Sequence, residues 1–573
     1  MKKSAKHFKG YLKETVLAPL FKLCEASLEL IVPLVIANII DKGIKGSDTG
    51  YILWMCLVLV MLGIAGLALS ITAQYFAAKS AVGFTTSLKR SLFSHIQSLS
   101  YKDLDTLGAS TIITRMTTDA TRVQSGINLT LRLLLRSPFV VFGAMIMAFT
   151  IDVEAGISFA VVIPLLSAVI FGVMLLTTPL YKKSQSLLDK LMLRTRENLS
   201  GVRVVRAFAK EDAEMREFDE ENILFTTCQK KAGHISALLN PLTYVITNLG
   251  ILFLIYIGAL KVDSGVLTQG EVIALYNYMS QILVELIKLA NLIVSISKAL
   301  ASLSRINAVI DTPTTQHFGT LEDENKNSEY VLEIENASLR YSASADNSLS
   351  NITLNVKRGE TIGIIGATGS GKTSLINLIP RFYDVTEGNV RLYGKNISDY
   401  SKAFLCRKIG IVPQNAVLFS GSIRENMLWR KPNASDDEIL NAIKIAQGED
   451  VIVSKGGLDA HIEAEGKNLS GGQRQRLTIA RAIVGSPDIL ILDDSASALD
   501  YATDSKLRMA LKTLDPNTTV FIVSQRAASV MFADKIVVLD DGIITDIGTH
   551  KELLSTSDIY REIYETQFEE VDK

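Results

Sequence analysis

Cysteine is scarce in this chain of 573 residues: Cys24, Cys56, Cys228 and Cys406 are the only four. They are scattered without metal-ligand spacing, which argues against both a zinc site and a disulfide framework. Neither sign of charge is in excess, since 59 Lys and Arg face 60 Asp and Glu for a net charge of −1. The basic footprint of a nucleic-acid-binding protein is therefore missing. Charged residues make up 21% of the chain, 48% are hydrophobic, and the mean hydropathy is +0.26. A soluble protein could hide that much apolar surface only in very large cores, so lipid is the expected solvent for part of the chain. Collagen, a disordered chain and a small secreted scaffold are excluded by the same balance.

Charge is absent altogether from three long stretches, Tyr51 to Ala78, Ala155 to Tyr181 and His234 to Leu260. Each exceeds the roughly 20 residues that cross a bilayer as a helix. A shorter run, Ser137 to Ile151, extends backwards through Leu129, with Arg132 and Arg136 expected to snorkel to a membrane face. Val16 to Ile40 carries Lys22, Glu25 and Glu29, and Glu271 to Ala299 carries Glu285 and Lys288. With these two weaker candidates, six spans are expected. Intramembrane charges are functional suspects, but Glu25 and Glu29 lie beside Lys22 toward one end, and Glu285 and Lys288 are spaced to pair along a helix.

Basic residues alternate between connections. Lys2, Lys3, Lys6, Lys9 and Lys13 precede the first span; Lys89, Arg90, Lys102, Arg115 and Arg122 follow the second; Lys182, Lys183, Lys190, Arg194, Arg196, Arg203, Arg206 and Lys210 follow the fourth. The intervening connections are short and nearly neutral, which puts both termini in the cytoplasm. The first strong apolar stretch is charged and lacks a small-residue cleavage site, so no cleavable leader is expected. The two basic connections are each about 50 residues long and poor in turn signals, unusual for plain loops. Helical spacing at 111–119 and 201–208 predicts that the membrane helices run on into the cytoplasm.

The composition changes after Ile306. Asp311 to Ser328 is polar, with Pro313 and Gly319, and reads as a linker. From Tyr330 onward short β-branched strands alternate with helical stretches, the pattern of a parallel α/β sheet. The expected domains are thus 1–310 in the membrane, 311–329 as linker and 330–573 as an α/β unit.

That unit carries phosphate chemistry. Gly366, Ala367, Thr368, Gly369, Ser370, Gly371, Lys372 and Thr373 match the phosphate-loop pattern, after the strand Thr361 to Ile365 and before an apolar helix. Glycines let backbone N–H groups turn onto phosphate oxygens, and the helix N-terminus adds positive potential. Lys372 is expected on the β- and γ-phosphates and Thr373 on Mg²⁺. Ile489 to Leu492 is an apolar strand ending in Asp493, suited to holding Mg²⁺ through water, and Asp494, suited to orienting an attacking water.

Between these motifs lies Leu469-Ser470-Gly471-Gly472-Gln473. With it, residues 330–573 resemble the nucleotide-binding domain of an ATP-binding cassette transporter, and the six spans with 110–119 and 201–211 resemble an exporter half-transporter with two coupling regions. The resemblance covers essentially the whole chain. It implies an α-helical membrane domain fused to an α/β phosphate-loop domain that uses ATP and Mg²⁺. It further implies that Tyr341 stacks on adenine, that Gln414 senses Mg²⁺, and that Ser497 to Asp500 form the D-loop. Ser470, Gly471, Gly472 and Gln473 would serve the ATP of a partner chain.

Two departures individualise this chain. The family usually has Glu after the Walker aspartate, where Asp494 stands, and His in the switch, where Gln525 stands. A carboxylate misplaced by about 1 Å can cost on the order of 100-fold in rate, and a neutral amide cannot titrate as imidazole does. The combination resembles the degenerate-site subunit of a heterodimeric bacterial multidrug exporter, with Asp494 and Gln525 as altered catalytic positions. Its partner would be a homologous half-transporter with Glu and His intact, in the plasma membrane, exporting a lipophilic compound. A peptide or lipid exporter, or an ATP-binding channel or regulator, is the alternative. Glu463 and Glu465, before the signature, fit either a cross-contact to a coupling helix or a solvated turn.

Overall fold

In the computed structural model residues 4–325, 328–342, 346–495 and 498–568 are described. They form two compact units, one of residues 1–97 and 108–312, the other of 98–107 and 313–573.

The first unit holds six helices long and apolar enough to cross a membrane: Leu12–Ile44, Thr49–Ser98, Ala109–Ile151, Val153–Ser200, Glu211–Asp263 and Gln269–Ile310. Helix is the form a lone segment must take in hydrocarbon, where every backbone N–H and C=O needs an internal partner. The second helix is 50 residues long. At 1.5 Å per residue that is about 75 Å, more than twice the roughly 30 Å of hydrocarbon, so it continues into water as expected. Its most apolar window has no buried residue, with Leu53, Trp54, Val60 and Ile64 on the surface. Such a surface is stable only where lipid covers it. Where helices cross closely, small residues permit it. A Cβ on Gly126 would lie 2.2 Å from the Ala299 Cβ, so the third and sixth spans meet almost backbone to backbone.

Three findings differ from the expectations. Arg136 does not snorkel. It is buried, 2.6 Å from Glu29 of the first span and 2.6 Å from Glu285 of the sixth, because two carboxylates on neighbouring helices offer a better partner than distant headgroups. Glu285 also accepts bonds from Ser137 and Lys288, each at 2.8 Å, so the pairing along the sixth helix is present within a larger network. Second, residues 98–107, expected within the membrane domain, group with the other unit, while 110–119, the expected coupling region, lies in the membrane unit. Its Asp119 is buried and pairs with Arg115 and with Arg305 of the sixth span. The piece that joins the ATPase unit is the short helix Tyr101–Leu107. Third, 313–321 is no loose tether. Gly319 N–H donates to Ser398 O at 2.9 Å, Leu321 bridges Tyr400, and Gln316 donates to Arg381 O at 2.9 Å. The second expected coupling segment holds a short helix, Val202–Ala207, with Val204 exposed on it and Phe208 exposed just after it.

The second unit is built on a six-stranded sheet in the order Ile543–Gly548, Lys535–Asp540, Thr361–Ile365, Thr519–Val523, Ile489–Asp493, Ile409–Val412. Only the Ile543–Gly548 edge runs antiparallel. Inner strands covered on both faces read as continuous apolar runs, which is why Ile489–Asp493 is buried throughout. An antiparallel sheet of Leu349–Lys357, Tyr330–Leu339, Glu387–Leu392 and Lys395–Asn396 shares one hydrophobic cluster with the first sheet and the phosphate-loop helix Lys372–Leu378. A second cluster holds the helices Asp436–Ile445 and Gly471–Ile483.

Candidate functional site

Parallel order fixes the site before any side chain is considered. Val523 lies beside Asp493 on one side and Ile364 on the other. Their three strands therefore end together, and the loops that follow deliver Gly366, Asp494 and Gln525 to one crevice. Ligands of open α/β sheets bind at such carboxyl ends.

The loop's glycines are there because nothing larger fits. A Cβ on Gly366 would sit 2.1 Å from the Leu539 carbonyl oxygen, and Gly371 has φ 95° with the Ser348 carbonyl oxygen 2.8 Å from where its Cβ would be. Lys372 folds over the loop and donates to Gly366 O at 2.8 Å and Ala367 O at 2.6 Å. Burial lowers its pKa, opposed by Asp494 and Asp493. Thr373 Oγ1 is 3.3 Å from the Asp493 carboxylate. Burial raises the Asp493 pKa, with Asp494 adding to the rise and Thr373 and Lys372 opposing it. These groups form a compact acceptor for a phosphate and its cation: one ammonium, one hydroxyl and two carboxylates whose negative charge is held at a cost.

Asp494 has left-handed φ of 44° and its N–H donates to Val523 O at 2.9 Å. Its pKa is raised by burial, against Arg526, Lys372 and a hydrogen bond from Gln414. The residue expected to sense the metal and the one expected as the altered catalytic carboxylate are thus bonded to each other. Gln525 Oε1 accepts from Thr368 Oγ1 at 3.4 Å, which puts the switch amide on the loop's rim. Tyr341 donates its hydroxyl to Ser374 Oγ at 2.9 Å on the phosphate-loop helix.

The signature stands apart. Ser470 caps the helix Gly471–Ile483 reciprocally with Gln473, accepting from its N–H at 3.2 Å while the Ser470 N–H donates to Gln473 Oε1 at 3.0 Å. Ser470 and Gly471 are exposed, a Cβ on Gly471 would meet nothing within 4 Å, and one on Gly472 would lie 3.2 Å from Ala498 O. This helix packs on Asp436–Ile445, and the exposed Ser470 and Gly471 stand at a helix start, where anions are favoured. Asp500 caps the next helix, accepting from Thr503 N–H at 3.3 Å; Ser497 lies outside the described residues. Glu463 and Glu465 are exposed, with Glu465 at φ 63°.

Two participants have no motif. Tyr383 stands edge-on to Tyr341, ring centres 4.8 Å apart, and its hydroxyl donates to Asp105 of the short helix Tyr101–Leu107. Arg526 opposes the rise of the Asp494 pKa. The one sequence signal for the short helix was Ser100 three residues before Asp103. Ser100 N–H and Oγ both donate to that carboxylate, at 3.1 and 2.7 Å.

Six membrane-crossing helices and a phosphate-loop α/β unit on one chain define a nucleotide-binding membrane protein. The family model for the ABC transporter transmembrane region matches residues 15–286, and that for the ABC transporter matches 349–497. The chain is 36% identical over 570 residues to "Uncharacterized ABC transporter ATP-binding protein YfiB" of Bacillus subtilis, covering 99% of both chains. It is 30% identical over 577 residues to "Putative multidrug export ATP-binding/permease protein YgaD" of the same organism, again covering 99% of both. Among solved structures, a bacterial Atm1-family ABC exporter with ATP bound shares the fold, with TM-score 0.77, 22% identity and coverage of 98% of this chain and 99% of that one. The chain belongs to the ATP-binding cassette transporter family, as an exporter half-transporter.

Proposed function

We propose that the chain is the degenerate-site subunit of a heterodimeric exporter that moves lipophilic, multidrug-type compounds out of the cytoplasm or inner leaflet. Residues 1–310 form its membrane domain, 311–329 the connection and 330–573 the ATPase domain. Both termini and the ATPase domain face the cytoplasm, in keeping with the basic connections, and the host is the plasma membrane. The names of relatives such as YgaD support the multidrug assignment.

At its own site the chain binds Mg²⁺-ATP and holds it. Lys372 and the N–H groups of 366–373 neutralise the phosphates, Tyr341 packs on adenine, and Thr373, Asp493 and Gln414 hold the cation, which offsets phosphate charge. The raised pKa of buried Asp493 fits a carboxylate awaiting a cation. Asp494 and Gln525 together carry the assignment: one shortens the water-orienting side chain and the other stays neutral at the γ-phosphate. Ser470, Gly471, Gly472 and Gln473 complete the partner's site, where N–H groups at a helix start stabilise charge that develops during transfer.

Steady-state ATPase measurements on the purified pair at saturating Mg²⁺-ATP test this. Ser470→Arg should abolish turnover, Asp494→Asn should leave much of it, and the chain alone should be slow. If Asp494→Asn silences the pair while Ser470→Arg stays active, the two sites are assigned the wrong way round.

A further inference from the structure

The last described helix, Asp558–Phe568, packs through Tyr560, with Ile559, Ile563, Tyr564 and Phe568, on a cluster that contains Ile365, Ala527, Val530 and Val538. Ile365 ends the strand before the phosphate loop, and Ala527 begins the helix Ala527–Val530 just after Gln525. From this helix Gln567 reaches back with both ends of its amide. Its Oε1 accepts from the Ala527 N–H at 2.8 Å, and its Nε2 donates to the Gln525 carbonyl at 2.8 Å. The partners dictate the orientation of the amide, because an N–H needs the oxygen and a C=O needs the NH₂.

These two bonds meet a local need. Helix Ala527–Val530 is four residues long and its N-cap residue, Arg526, supplies no side-chain cap. Its first N–H would otherwise lack a protein partner in the same stretch that must hold Gln525 still. One planar amide spanning the carbonyl of 525 and the N–H of 527 restrains the torsions between them, and with them the direction in which the Gln525 side chain leaves the backbone. The neighbouring bonds, Ser524 N–H to Ile364 O at 3.0 Å and Arg526 N–H to Ser524 Oγ at 3.0 Å, anchor the segment upstream. Gln567 anchors it downstream.

We propose that Gln567 is a positioning residue for the switch: it sets the placement of Gln525 toward the γ-phosphate and thereby the preference of this site for a triphosphate over a diphosphate. The proposal rests on the assignment of Gln525 as the switch residue. Gln567 itself does not touch nucleotide. Its side chain acts only through the segment 525–527, so the loss of either bond frees Gln525 without altering Lys372, Thr373 or Asp493.

The test uses the full-length chain in lipid nanodiscs and the equilibrium affinities for Mg²⁺-AMP-PNP and Mg²⁺-ADP. Gln525→Ala should weaken the triphosphate analogue about five- to tenfold, the value of one hydrogen bond, and leave ADP within about twofold. Gln567→Met should shift the same ratio by about threefold or more, and the double variant should bind no worse than Gln525→Ala, because both changes remove one function. Gln567→Glu keeps the size and the bond from Ala527 but sets a carboxylate oxygen against the Gln525 carbonyl. With the amide donor gone it should resemble Gln567→Met. If Gln525→Ala does not change the ratio, the switch assignment and the role of Gln567 both fall. If Gln525→Ala changes it but Gln567→Met does not, or weakens ADP equally, or adds to Gln525→Ala, Gln567 is only a packing residue and the switch assignment stands.

Discussion

Replacing Arg136 by Ala removes the centre of a charge network that crosses three membrane helices. The cationic members are Arg136 and Lys288 and the anionic members Glu29 and Glu285, so the intact set is neutral and the variant is not. Glu29 is the less enclosed of the two carboxylates, its side chain 39% exposed. Glu285 decides the outcome, because its side chain is 4% exposed. Removing the partner of a buried charge costs about 3–5 kcal/mol. Ser137 and Lys288 remain at 2.8 Å each, which places Arg136→Ala at the lower end, about 3 kcal/mol. Glu285→Gln keeps the shape and leaves Arg136 on Glu29, so about 1–2 kcal/mol is expected. Arg136→Met with Glu285→Leu removes both charges and should return to within about 1 kcal/mol of the parent, since apolar replacements of a buried pair are often neutral. Cys228 reports the unfolding. It is the buried cysteine of the four, the others being exposed, so a thiol-reactive fluorophore added after those three are changed to Ser reads the opening of the membrane unit. Arg136→Ala should expose Cys228 well over tenfold faster at fixed temperature, and the double variant close to the parental rate. An Arg136→Ala rate within twofold of the parent, or a double variant worse than both singles, would refute the view that this network is a mutually compensating set.

Two further outcomes follow from the ATPase unit. The pKa of Asp494 is raised in the folded chain by burial, so below the ordinary aspartate range, about pH 4, both states are neutral and its penalty is absent. As pH rises through the elevated folded value the native state bears that penalty; nucleotide-free Asp494→Asn should therefore melt higher than the parent at pH 7 and lose the advantage near pH 4, and equal melting at pH 7 would contradict the burial argument. Tyr383→Phe deletes the donor to Asp105 but keeps the ring against Tyr341; it should raise proteolytic cleavage within 98–107 severalfold while shifting ATP affinity less than about threefold, and unchanged cleavage would show that the hydroxyl does not hold the short helix.

Much of the site was legible because its chemistry is local in sequence. A phosphate loop needs its glycines, Lys372 and Thr373 in one eight-residue stretch, and Asp493 follows an apolar strand directly, so spacing alone singles them out as candidates. The same holds for the spans: Tyr51 to Ala78 lacks charge because hydrocarbon tolerates none, and any such run must become a helix. Arg136 departs from its expected contact for the converse reason. Its own stretch suggests a headgroup contact, while its partners lie 107 and 149 residues away in sequence.

Residue types and their spacing carry the chemistry: runs that cross lipid, a loop patterned for phosphate, and Asp494 and Gln525 where Glu and His are usual. Which side chains share a crevice depends on packing between segments remote in the chain. Strand order brings Gly366, Asp494 and Gln525 to one edge. The short helix Tyr101–Leu107 joins the ATPase unit rather than the helices on either side of it in the chain. The amide of Gln567 meets a backbone 40 residues upstream. A hydrogen bond is decided by distances of about 3 Å in space, and distances on that scale between remote segments are set by packing, which no local pattern of residues encodes.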